Sequence, residues 1–124
     1  MKKEPLLVDT DIFIHYLNHR RYRHYLENER WQVFYSAVTK KELLAKRGLS
    51  AQEQRAIFLL LEHYRPIYLT PPIAIRYAEL RRQYPLLERN DTLIAASALI
   101  HHIPLLTGNR KHFSTVEGLK LLPA

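Results

Sequence analysis

Apolar residues along this chain recur in short alternating blocks that switch between strand and helix spacing. Leu6-Leu7-Val8 is a brief apolar run ending at once in Asp9-Thr10-Asp11, the pattern of a buried strand that delivers polar residues at its C-terminal end. Ile12, Phe13, Tyr16 and Leu17 follow at helical spacing, and the charged stretch from Arg20 to Arg30 continues as a second helix with Tyr22, Tyr25 and Leu26 as a thin apolar stripe. Gln32 to Tyr35 is the next expected strand. Ala37 to Lys46 is helical, with Val38, Leu43 and Leu44 for the core and Gly48 as a stop.

Ser50-Ala51-Gln52-Glu53 has the form of a capping box opening a helix that carries Ile57, Leu60, Leu61 and Tyr64 on one face. Pro66 to Leu69 reads as a third strand. Pro71 and Pro72 suit the first turn of a helix whose stripe is Ile73, Ala74, Tyr77, Leu80 and Tyr84, ended by Pro85. Asn90 is a good N-cap for a helix from Asp91 to His101, which is apolar on most faces and so belongs at the centre. Ile103 to Leu106 is a fourth strand, Thr107 to Phe113 a polar loop, and Leu119 to Leu122 a short last strand. Alternating strands and helices predict an α/β fold with a mainly parallel sheet of four to five strands, covered by helices on both faces in three α/β/α layers.

The chain of 124 residues fits a single domain over 1–124, and 47% hydrophobic residues can fill its core. No cysteine is present, which excludes disulfides and thiolate metal sites. The apolar runs fall short of the ~20 residues that span a bilayer. Asp9 and Asp11 follow the start too closely for a signal-peptide apolar region, so the expectation is a cytoplasmic protein with no membrane partner. A formal net charge of +7 sets up a field that concentrates polyanions, nucleic acid first among them.

Candidate chemistry follows from where the acids fall. In an open parallel sheet the strand C-terminal ends share one edge, and ligands bind in the crevice there. Asp9 and Asp11 follow the first strand, Glu42 lies about two helical turns beyond the second, Asp91 begins the helix leading into the fourth, and Thr107 and Asn109 follow that strand. Each acid also has an ordinary structural use. Thr39 and Glu42 have capping-box spacing, and Asp91 in a first helical turn gains from the helix dipole. Asp9 is harder to dismiss, because a carboxylate ending a buried strand needs a compensating partner.

The segment Leu6-Leu7-Val8-Asp9-Thr10-Asp11-Ile12-Phe13-Ile14 resembles the opening of a PIN domain. Ser36 to Leu43 is similar to that family's second block, Asp91 to Leu99 to its third, and Leu105 to Phe113 to its fourth. The blocks come in the family's order and span nearly the whole chain. In length the chain resembles the VapC-type toxin ribonucleases of type II toxin–antitoxin systems. The resemblance implies Asp9, Glu42 and Asp91 as catalytic and metal-binding acids, with Thr10, Thr107 and Asn109 in support. It also implies an RNA substrate, an antitoxin that blocks the crevice, and a homodimer. Two positions depart from the common pattern: Asn109 where many relatives have Asp, and Asp11 where many have Asn. Whether Asp11 replaces the acid missing at Asn109 stays open.

Carboxylates crowded around a crevice repel one another, and a hard divalent cation resolves that; all-oxygen donors favour Mg²⁺ or Mn²⁺, as one or two ions. The seven histidines do not make a zinc site: His15 and His19 fall where the first helix ends, His24 and His63 lack a paired ligand, and His101 and His102 suit a helix C-terminus. His112 borders the acidic edge. Arg110 and Lys111 beside it are further RNA-binding candidates, as are Arg20, Arg21 and Arg23. Two other readings compete. Asp9-Thr10-Asp11 is similar to the opening of haloacid-dehalogenase-type phosphatases, whose first Asp is a nucleophile, although Ile12-Phe13 replaces the usual Gly-Thr and no later Asp-Asp pair follows. A non-catalytic basic RNA-binding or interaction module with a PIN fold is the other.

Overall fold

A computed structural model describes residues 2–124. Five strands form one parallel sheet in the order β3-β2-β1-β4-β5: β1 Glu4–Val8, β2 Trp31–Ser36, β3 Arg65–Ile67, β4 Leu105–Leu106 and β5 Leu121–Leu122. The helices are α1 Thr10–His19, α2 Arg23–Leu26, α3 Thr39–Leu44, α4 Ala51–Leu61, α5 Pro71–Gln83, α6 Arg89–His101 and α7 Arg110–Phe113.

The three-layer arrangement is written in β1. Successive strand side chains point to opposite faces, and Leu6 and Val8 join one buried cluster while Leu7, between them, joins the other. The first cluster holds the apolar faces of α1, α2, α3 and α4 through Ile12, Phe13, Tyr25, Leu26, Leu43, Ile57 and Leu61. The second holds α5, α6 and α7 through Ile73, Leu80, Ile94, Ala95, Ala96, Ala98 and Phe113. Leu105 and Leu106 of β4 split between the two faces in the same way.

Several elements differ from the expectation. The stretch Arg20 to Arg30 is helical only over Arg23–Leu26, because Arg20 and Tyr22 take left-handed backbone conformations, φ 57° and 67°. The reversal folds Tyr25 and Leu26 into the core just before β2, and Glu27 gathers Arg20, Arg23 and the Tyr16 hydroxyl on the outside. In α5, Ala74 is exposed while Ile73 and Leu80 are buried. The N-cap of α6 is Glu88, ahead of the expected Asn90. Its carbonyl accepts from both the N–H and the hydroxyl of Thr92, at 2.8 and 2.7 Å. The expected polar loop after β4 contains α7, because Phe113 is driven fully into the core and winds the segment behind it. The capping box at Ser50 and Glu53 forms in both directions.

The sheet order places the site. From β1 the chain steps outward through β2 to β3, then returns to the far side of β1 with β4. The order therefore reverses at β1, and the crevice beyond the C-terminal ends of β1 and β4 is the topological switch point where open α/β sheets bind ligands.

Candidate active site

Asp9 and Thr107 are the first residues past β1 and β4, and they meet. The Asp9 N–H bonds to Leu106 O at 2.9 Å, fixing the ends of the two strands side by side. Thr107 Oγ1 then donates to Asp9 Oδ2 at 2.7 Å and accepts from the Asn109 N–H at 2.9 Å. Asp9 is also the N-cap of α1, its Oδ1 accepting from the Thr10 N–H at 2.8 Å. These bonds hold the carboxylate in one orientation while it is only 5% exposed. Burial pushes its pKa up to about 7; the Thr107 hydrogen bond opposes that, and the charges of Asp11 and Asp91 add to it.

A second network joins α1 to α3 and α6. Thr10 Oγ1 lies 2.6 Å from Glu42 Oε1 and 3.1 Å from Thr39 Oγ1. Each hydroxyl has one proton, so the consistent assignment has Thr10 donating to Glu42 and Thr39 donating to Thr10. Asn90 Nδ2 donates to the other Glu42 oxygen at 3.1 Å. Glu42 thus takes part in no capping box: Val38 is the N-cap of α3, and the buried Thr39 faces Thr10. The Glu42 carboxylate is held toward the crevice from two neighbouring helices.

Asp91, in the first turn of α6, completes the group. Burial pushes its pKa up to about 6, with Glu88 and Glu42 adding, His112 opposing and Asp11 adding. Those same influences mark its surroundings: Asp91 has Glu88, Glu42 and Asp11 as acidic neighbours and His112 as a basic one. Asp11 reaches across from α1 to the loop after β4, where its Oδ2 accepts from the Gly108 N–H at 3.1 Å. A Cβ on Gly108 would stand 2.6 Å from that oxygen, so the approach depends on glycine. The other oxygen, Asp11 Oδ1, is buried without a hydrogen-bond partner, alone in this among the side-chain polar atoms of the described residues.

The structure therefore brings Asp9, Asp11, Thr10, Glu42, Asp91, Thr107 and the backbone of Asn109 to one edge. Lys111 and His112 are exposed on α7 nearby. Arg110 is turned the other way, donating to Leu122 O at 2.6 Å and so fastening α7 to β5. Arg20 and Arg23 are ion-paired with Glu27. Two participants have no counterpart in the sequence reading. Glu88 stands three residues before Asp91, a spacing that puts both on one face of a helix start. Asn90 is a hydrogen-bond donor to Glu42 instead of the helix cap, the place that Glu88 fills.

The donor set is all oxygen, several of its acids repel one another, and one buried carboxylate oxygen lacks a partner; all three features fit a hard cation. Carboxylate oxygens already hydrogen-bonded retain lone pairs for one. Among the described residues, no three Asp, Glu, His or Cys side chains stand close enough to enclose an ion by themselves. Water and substrate oxygens would have to complete such a site, as is usual for Mg²⁺.

The sequence matches the PIN domain family over residues 6–119. It is 31% identical, over an alignment of 127 positions, to a Methanocaldococcus jannaschii protein named ribonuclease VapC1, covering 97% of this chain and 88% of that one. A Rickettsia felis protein of the same name is 29% identical over 131 positions, covering 94% of each. The fold is similar to that in a crystal structure of VapBC2 from Rickettsia felis bound to a DNA fragment from their promoter, with a TM-score of 0.83, 23% identity, and 95% and 97% of the two chains covered. It is also similar to that in a toxin–antitoxin complex from Klebsiella pneumoniae, with a TM-score of 0.76, 31% identity, and 95% and 96% covered.

Proposed function

Because this chain belongs to the PIN-domain family, we propose that it is a metal-dependent endoribonuclease, the toxin of a toxin–antitoxin pair acting on cytoplasmic RNA. The observation that carries this reading is the constellation around Asp9: a buried, oriented carboxylate at the sheet's switch point, its pKa raised to about 7 beside Asp11 and Asp91. Such a site is unfavourable by itself and becomes favourable with a cation. The relatives named ribonuclease VapC1 support the activity, and the toxin–antitoxin complex of similar fold supports an antitoxin partner. The homodimer rests on the family resemblance. The match over residues 6–119 leaves the Asp-nucleophile phosphatase reading without support.

Asp9, Asp91 and Glu42, with Asp11, are the residues that would hold Mg²⁺ or Mn²⁺. The chemistry such an ion would supply there is activation of a water and neutralisation of charge at phosphorus. The protein's own contribution is orientation. Thr107 and the Thr10 N–H fix Asp9, Thr10 and Asn90 fix Glu42, and the Gly108 N–H fixes Asp11. Lys111, exposed at the rim, supplies a cation for a substrate phosphate.

The test is cleavage of RNA by the purified chain with Mg²⁺ or Mn²⁺, followed by mapping of the new 5′ ends. Asp9→Asn, which keeps shape and removes charge, is expected to lower the rate roughly 100-fold or more, the scale of deleting one charge-stabilising group. Equal cleavage by wild type and Asp9→Asn would overturn the proposal.

A further inference from the structure

A second concavity opens beside the acidic edge, bounded by the turn between α5 and α6 on one side and by α7 on the other. It is lined by Tyr84, Pro85, Leu86 and Glu88 across from Lys111 and His112, and encloses about 580 Å³, within the range of pockets that take small organic groups. Glu88, which lines the cleft, is also the N-cap of α6, whose first turn holds Asp91, so the cleft lies beside the acid cluster.

Its walls are fastened. The Tyr84 hydroxyl accepts from the Glu117 N–H at 3.0 Å, tying the end of α5 to the segment after α7. Arg81 donates to Leu87 O, and the Leu87 N–H bonds to Tyr84 O at 3.1 Å, closing the turn from within. Leu87 is buried and anchors that turn, yet Leu86 beside it is 98% exposed. A large apolar side chain held outward on an anchored turn, at the lip of a polar site, points to a contact made with something else. On the opposite wall Lys111 makes no ion pair among the described residues.

We propose that this cleft is a nucleotide subsite, holding one nucleotide of single-stranded RNA next to the scissile phosphate, its base against Leu86 and its phosphate on Lys111. This rests on the nuclease reading for its substrate class. Glu88 lies at the Asp91 end, where its charge disfavours a phosphate, so the phosphate partner is Lys111. The apolar lip suits a base face, which is tolerant of base identity, and the cation suits the backbone.

The test is fluorescence anisotropy with a labelled single-stranded oligoribonucleotide of about a dozen nucleotides and an abasic oligomer of equal length, in EDTA so that binding is read without cleavage. Leu86→Ala is expected to narrow the wild type's preference for the base-bearing strand by roughly 3- to 10-fold. Lys111→Ala is expected to weaken both strands and to reduce the logarithmic salt slope by about 0.7. Leu86 is exposed and the Lys111 side chain unpaired, so both variants should keep the wild-type melting temperature. Unchanged affinity and salt slope in the Leu86→Ala/Lys111→Ala double variant would overturn the subsite, as would failure of the wild type to bind either strand both in EDTA and with Ca²⁺, a hard cation for the acidic edge. Cleavage of the same RNA with Mn²⁺ reads the nuclease proposal separately: wild type that binds through the cleft but cuts nothing overturns the enzyme and leaves the cleft as a nucleotide-binding site without a scissile phosphate beside it.

Discussion

Asp9 stores an electrostatic cost that should be visible as a pH dependence. Its pKa rises from an unfolded value near 3.8 to about 7, and that of Asp91 to about 6. The folded state therefore binds these protons more tightly than the unfolded chain, and stability falls as pH rises between those values. Glu27 and Glu53, held below the usual carboxylate range by hydrogen bonds from Tyr16 and Lys46, act in the opposite sense, and only at the acid end of that range. The metal-free protein is thus expected to melt higher at about pH 5.5 than at about pH 8. Asp9→Asn should flatten the difference by removing the carboxylate whose raised pKa produces it; a wild-type melting temperature that rises with pH would contradict this. Gly108→Ala is a second residue-scale prediction. Its Cβ meets the end of the Asp11 side chain rather than backbone, so the fold should lose less than about 1 kcal/mol, within the ordinary range for surface changes. Asp11, however, must leave the Gly108 N–H. If Asp11 belongs to the site, Gly108→Ala and Asp11→Asn should lower cleavage similarly and show no additivity when combined. The convergence of Asp9, Glu42 and Asp91 is legible in the sequence because Asp9 ends a strand and the family blocks mark all three. Glu88 was not, since an acid ahead of a helix is ordinarily just favourable to the dipole.

At the scale of elements, the site depends on three helix starts held in register by side chains. Thr10 opens α1, Thr39 opens α3 and Asn90 lies in the first turn of α6, and their polar groups converge on Glu42. Thr10→Val keeps the shape of a buried side chain and removes the hydroxyl, leaving Thr39 Oγ1 and Glu42 Oε1 without a partner. Thermal or denaturant unfolding should report a loss of about 1–3 kcal/mol. Asn90→Ala removes an exposed bond and should cost under about 1 kcal/mol, so any fall in cleavage measures the orientation of Glu42 rather than folding. None of these contacts was readable from spacing, because Thr39 and Glu42 also match a capping box, and only the docking of α3 against α1 decides between the uses. The same limit explains α2 and α7. Tyr25 and Leu26 are visible as an apolar stripe and Phe113 only as the end of a polar loop, and the turns that bury all three are set by tertiary packing. By contrast β1, α4 and α6 carried their own evidence, as a strand-end switch to polar residues, a capping box and an apolar helix respectively.

Across the whole molecule, charge is segregated. Of twelve acids, Asp9, Asp11, Glu42, Glu88 and Asp91 gather at one crevice, leaving seven to offset the nineteen Lys and Arg, of which Lys111 stands at the crevice rim. This charge distribution attracts a polyanion to the body of the protein and repels it at the crevice itself, so the proposed binding and the proposed chemistry make opposite electrostatic demands. A divalent cation in the crevice would remove the conflict: it would offset the burial and the mutual repulsion that together raise Asp9 and Asp91, and make the edge acceptable to a phosphate. Because such an ion binds the folded state, it should raise the melting temperature by several degrees, as about 2.7 kcal/mol is gained at a hundredfold excess over the dissociation constant. Sodium chloride of equal ionic strength should not reproduce the rise, since it screens exposed charge more than buried charge. Protons and metal compete for the same oxygens, so the stabilisation should shrink as pH falls through about 7 and then about 6. Asp9→Asn, lacking one acid and the repulsion it causes, should begin with a higher metal-free melting temperature and gain less from Mn²⁺. Equal gains in wild type and variant would place the cation elsewhere, and the acids at the switch point would then need another partner to account for their burial.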